Sequence, residues 1–144
     1  MALMASDATD RVEQLILLTD RLTGLIALEA QAFEARRPHE AAQYLDETQR
    51  LANLYRHESA RVRREPDMVA SAPADQRTRL LRATEAFDAV LARQARALEA
   101  AKTVTEGLVK AIAEEVASQR SAGLGYGGLS TNGAATAITL NQSA

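Results

Sequence analysis

From position 80 to position 112 the chain sets down Leu80, Thr84, Phe87, Leu91, Gln94, Leu98, Ala101, Thr105, Leu108 and Ile112 at alternating steps of four and three. Such steps average 3.5 residues, close to one α-helical turn, so these side chains share one stripe of a helix. No proline follows Pro73. The spacing therefore predicts an uninterrupted helix over about 74–119 with a heptad seam. Gln94 and the two threonines weaken that seam but help to fix its register. A helix of this kind needs other helices beside it, which restricts the chain to an all-α, coiled-coil type of bundle.

The remaining prolines divide the rest of the chain. A first helix is expected over about 7–36, capped by Ser6 or Asp7, with Asp10 and Glu13 near its positive end. Its apolar or neutral series runs Val12, Leu15, Ile16, Thr19, Leu22, Leu25, Ile26, Ala30 and Phe33. Leu17, Leu18 and Leu28 widen that face, so the helix is expected to meet neighbours on two sides. Gly24, in mid-helix, reads as a site of close helix packing. Arg36 and Arg37 suit the negative end of the dipole, and Pro38 suits the first position of a second helix over about 38–65. That helix carries Ala41, Tyr44, Leu45, Thr48, Leu51, Ala52, Tyr55 and Val62 on one face. "PDMVASAPA" (66–74) reads as a loop. The expected fold is an up-down-up antiparallel three-helix bundle over 1–120 with a long third helix. A flexible Gly/Ser/Thr-rich tail is expected over 121–144, where charged side chains cease after Arg120.

Composition supports helices and removes several function classes. Of 144 residues 47% are hydrophobic but only 3% aromatic, so the apolar content is mainly Ala, Leu and Val. With 17 basic and 19 acidic residues the net charge is −2, which offers no basic field for nucleic acid. There is no cysteine, hence no disulfide and no thiolate metal site. No apolar run approaches the roughly 20 residues of a membrane span, and no signal peptide opens the chain, so a cytoplasmic location is expected.

Length then points to a surface. At 1.5 Å per residue the third helix would reach about 70 Å, against about 45 Å and 40 Å for the first two. The C-terminal part of the third helix, "VTEGLVKAIAEEVASQ", would stay uncovered with its stripe of Val104, Leu108, Val109, Ile112 and Val116. An apolar stripe without internal cover marks an interface for a partner helix or a second copy. The alternative is a fold-back at Gly107 that buries it internally.

Chemistry finds little support. His39 and His57 are preceded at three residues by Arg36 and Leu54, so neither forms the Glu-x-x-His pair of a helical metal site. No serine sits in G-x-S-x-G. Carboxylates alternate with arginines, as in Glu34, Arg36 and Arg37 or Glu58, Arg61 and Glu65, which reads as a solvated helix surface. The locally basic "RHESARVRRE" (56–65) reads as a complement to the helix C-terminus. Gly123, Gly125 and Gly128 match G-x-G-x-x-G, but a dinucleotide loop needs a strand before it, a helix after it and an acidic residue downstream. Here a helix precedes, and no acidic residue follows; Gly123 reads instead as the stop of the long helix. No enzyme, cofactor or metal is expected.

The layout of a leucine-rich first helix, "LTDRLTGLIALEAQAFEARR", an antiparallel second helix, a proline loop and a long third helix resembles the FlgN-type flagellar export chaperones. The tail "GLGYGG" resembles those of that family's alphaproteobacterial, FlbY-like branch. The resemblance covers about residues 7–120. It implies a cytoplasmic chaperone of flagellar type III export that binds hook-associated, hook–filament junction proteins, prevents their premature assembly and meets the export apparatus. It places client binding on the C-terminal part of the third helix, on Val104, Leu108, Val109, Ile112 and Val116. A self-associating coiled coil, for instance a homodimer, is the alternative.

Overall fold

Asp7 opens the first helix. Its backbone is extended (φ −154°, ψ −177°), and its carboxylate accepts the Asp10 amide at 2.8 Å. That contact satisfies one of the N–H groups a helix start leaves without a partner. The computed structural model describes residues 2–126. Helix α1 spans Ala8–Glu34, α2 Pro38–Ala41, a 3-10 turn Ala42–Tyr44, α3 Leu45–Arg64, α4 Asp67–Ala70 and α5 Ala74–Tyr126. The protein is all-α, with no strand among the described residues. The described residues divide into two units, one ending at Ala101 and one beginning at Lys102.

The turn after α1 is tighter than its sequence suggests. Arg36 takes a left-handed backbone (φ 60°). The Arg36 amide donates to the Phe33 carbonyl at 3.1 Å and the Arg37 amide to the Ala32 carbonyl at 2.9 Å, the paired bonds of a Schellman stop. A glycine would occupy this position without the roughly 1–2 kcal/mol that a side chain costs there. Pro38 then starts α2, since it lacks only an N–H that would have had no helical partner. The second helical stretch thus begins at Pro38 and ends at Arg64, with the 3-10 turn inserted. The 66–74 segment, expected to be a loop, contains α4. Its neighbour Ala72 is buried with Val12 and Ile16, and Val69 and Leu80 pack against them. The linker is part of the core.

Within the first unit the main core joins Leu22 and Ile26 of α1 to Phe87 and Val90 of α5, with Leu51, Ala52 and Tyr55 of α3 against them. The Tyr55 and Phe87 rings lie 4.9 Å apart at 53°. Ion pairs give the directions. Arg11 pairs with Glu58 and Arg21 with Glu47, so α3 runs opposite to α1. Glu13 pairs with Arg79 and Glu34 with Arg93, so α5 runs with α1 there.

The seam of α5 differs from the predicted one by a single residue at two positions, Leu91 and Leu98. Leu80, Phe87, Gln94 and Ala101 face inward as expected, all buried or half-buried. Ala83, Val90 and Ala97 are buried as well. Thr84 is half-buried beside Ala83, while Val90 and Ala97 take the inward places expected of Leu91 and Leu98. Leu91 and Leu98 are exposed. Small side chains such as Ala83 and Ala97 at a seam let helix backbones approach closely. Leu17 and Leu28 are likewise exposed, whereas Leu18 is buried, so only one of the three extends the buried face of α1. Gly24 is exposed, and a Cβ built there meets nothing within 4 Å, so close packing does not explain it.

The long helix does not stop at Gln119 or at Gly123. It continues to Tyr126, and no described glycine has a positive φ. Glycine costs about 1 kcal/mol in a helix relative to alanine, which weakens a helix without ending it; a glycine stop requires the left-handed turn itself. Residues 121–126, expected as tail, are helical, and 127–144 lie outside the described residues.

Candidate partner-binding face

Beyond Ala101 the sequence keeps helical composition, with Ala111, Ala113 and Ala117 among Lys102, Glu106, Lys110, Glu114 and Glu115. Lys102 approaches Glu106 at 3.9 Å, and Gln119 Nε2 donates to Glu115 Oε1 at 3.1 Å. Both span one turn and each supports an exposed helix slightly. The helix runs through Gly107 without a break.

All five predicted residues project from this stretch into solvent. Val104 is 55% exposed, Leu108 60%, Val109 62%, Ile112 55% and Val116 47%. The expected alternative, a fold-back at Gly107, is not taken at that residue, where the helix is continuous. Helical rise places Val104 and Val116 about 18 Å apart. The steps 104, 108, 112 and 116 are each four residues, so the stripe drifts around the helix by roughly 40° per step. Val104 stands seven residues past Ala97 and Leu108 seven past Ala101, so the stripe starts at the heptad positions of the buried seam. Chemically the face offers aliphatic surface and no nucleophile, with carboxylates and ammonium groups beside it.

The other expected contacts divide. Tyr55 is a core residue. Glu34 is exposed but binds Arg93, which holds its carboxyl below the ordinary value. Glu47 is lowered in the same way by Arg21. Glu58, read as part of a solvated surface, is instead completely buried. A signal for it existed: Leu51, Tyr55, Glu58 and Val62 follow steps of four, three and four, and Glu58 fills the gap in that seam. Its charge concealed it, because charged residues are almost never fully buried unless paired. Glu29 was also missed. It is buried on α1, accepts the Thr48 hydroxyl at 3.1 Å, and burial pushes its carboxyl up. Among the described residues no group of three His, Asp or Glu side chains could hold a metal ion. Gly123 and Gly125 sit inside α5, and Gly128 lies outside the described residues, so no strand precedes the glycines. No helix of the described residues is long and apolar enough to cross a membrane.

Comparison with known proteins supplies the context of this face. The flagellar basal-body protein FlbY of Caulobacter vibrioides is 64% identical over 149 residues, covering the whole of both chains. The chain belongs to the FlbY family. No protein-family model matches it, and no solved structure does. The FlbY relationship spans the core of the first unit, the α5 stripe and the glycine-rich end alike.

Proposed function

We propose that this FlbY-family chain serves the flagellum as a cytoplasmic, FlgN-type export chaperone built as an up-down-up three-helix bundle. In this reading it binds an amphipathic terminal segment of hook-associated proteins along Val104, Leu108, Val109, Ile112 and Val116. It prevents their premature assembly and passes them to the export apparatus. The observation that carries the proposal is the exposure of all five aliphatic side chains in a chain whose full-length relative is a flagellar protein.

The energetics suit reversible binding. Fully burying a Val, Leu or Ile gives about 1.5–3 kcal/mol, and each of these is already half-covered by its own helix. The face would therefore supply roughly 4–8 kcal/mol, with a similar share from the client, before ordering costs of about 2–5 kcal/mol or more. Those ranges leave about 3–14 kcal/mol before the cost of association itself, so binding no tighter than about micromolar, near −8 kcal/mol, is within reach and permits release. The double substitution Leu108→Asp and Ile112→Asp is expected to abolish binding to hook–filament junction proteins in calorimetric titration, with helicity by circular dichroism unchanged. Absence of binding by the unaltered chain to every such protein sinks the reading.

A second reading is self-association, favoured by the stripe's start at the heptad positions of the buried seam. Two copies would then pair through α5, and sedimentation would report a mass that rises with concentration. A monomer throughout the micromolar range removes it.

A further inference from the structure

Away from the α5 stripe, the most constrained group is Glu58, a carboxylate with 0% of its side chain exposed. Its Oε1 accepts the Leu3 backbone N–H at 2.9 Å and Arg61 Nη1 at 3.3 Å. Its Oε2 accepts Arg11 Nη1 at 3.3 Å. The donors thus come from three places: the segment before α1, α1 itself and the following turn of α3. The segment Ala2–Ser6 is held at two more points. Gln14 Nε2 donates to the Met4 carbonyl at 2.7 Å, and the Ser6 amide donates to Asp10 Oδ2 at 3.0 Å. Leu3 and Ala5 are half-buried while Ala2, Met4 and Ser6 are exposed, the alternation of an extended strap.

We propose that Ala2–Ser6 is a clasp and Glu58 its catch, so that the strap locks α3 against α1 and α3 opens only after the strap has left. The order follows from what each part has to lose. The strap has two half-buried side chains and four hydrogen bonds, so it is the least costly part to detach. Its departure removes one of the donors of a buried charge and opens that charge to water. A buried carboxylate short of a donor favours hydration over packing, which loosens the turns of α3 on either side. The stability of α3 is thereby set by a segment 55 residues away in sequence. This inference does not rest on the function proposed above.

Hydrogen–deuterium exchange on the full chain tests it. In the unaltered protein the Leu3 amide is expected to exchange at least tenfold more slowly than in a free chain. Leu3→Pro removes that N–H from the network, together with the half-buried leucine side chain, and leaves Glu58, Arg11 and Arg61 in place. It is expected to speed exchange across residues 45–64 at least threefold, and by more than at Leu22–Ile26, which α3 partly covers. Glu58→Gln keeps an acceptor but no charge, and is expected to release Leu3 and α3 together. A Leu3 amide exchanging at the free-chain rate in the unaltered protein overturns the clasp, and that measurement requires no variant to fold. Slow Leu3 exchange combined with an α3 indifferent to both substitutions overturns the coupling.

Discussion

Helix α1 and the 104–116 stretch of α5 carry the same kind of side chain at the same kind of spacing, with opposite outcomes. In α1, Val12, Leu15, Ile16, Leu22, Leu25 and Ile26 are all buried. In α5, Val104, Leu108, Val109, Ile112 and Val116 all remain about half-exposed or more. An isolated amphipathic helix cannot bury its own stripe, so spacing defines a face and neighbours decide its fate. An aliphatic face that the protein leaves in water is a candidate for contact, whereas one that it buries is a candidate for stability.

Substitution at equivalent aliphatic positions should separate the two regions most. Leu22→Ala, at a fully buried site, is expected to cost about 2–5 kcal/mol in urea denaturation. Leu108→Ala should change stability by less than about 0.5 kcal/mol while weakening partner binding. Similar losses at both positions would erase the distinction.

The same contrast operates between neighbours within α5. Val90→Ala removes two buried carbons and is expected to cost about 1.5 kcal/mol. Leu91→Ala removes three carbons from an exposed side chain and should cost less than Val90→Ala. The opposite ranking would restore the seam predicted from sequence. A smaller effect of opposite sign is expected at Gly24. Alanine fits there in helical backbone with nothing within 4 Å, so Gly24→Ala should stabilise by about 0.5–1 kcal/mol.

The smallest effect is a pH dependence. Burial raises the Glu29 carboxyl above its ordinary value. Between the unfolded and folded pKa the native state binds more protons, so this group's contribution to stability falls as pH rises through that window. Glu29→Gln is therefore expected to raise the melting temperature at pH 7, with the gain shrinking as the pH is lowered through the window. Glu34 and Glu47 act in the opposite sense, because arginine partners lower them and their contributions are lost on acidification. A gain at Glu29→Gln that does not depend on pH would assign its effect to packing rather than charge.

Local rules were readable where a local cause acts alone. Asp7 caps α1, Pro38 begins α2, and the 104–116 residues share a solvent-facing stripe, each for reasons contained within a few neighbouring positions. Gly123 shows where local reasoning stops short, because a glycine permits a left-handed turn but does not impose one. The α4 segment shows it again: short, proline-flanked and rich in small residues, it reads as a loop until its packing on Val12 and Ile16 is seen.

The sequence by itself determined that this chain is helical, where its first helices start, and which residues line the outlying stripe. Those properties follow from backbone propensity and a 3.6-residue period, which operate along the chain. Tertiary structure alone decided that the seam takes Val90 and Ala97 in place of the larger Leu91 and Leu98, and that Glu58 lies inside. Adjacent positions differ by only about 100° around a helix, and the choice between them is made by how closely another helix approaches. The burial of a charge depends on donors supplied by Leu3 and Arg11, far away in sequence, and only the folded chain brings them together.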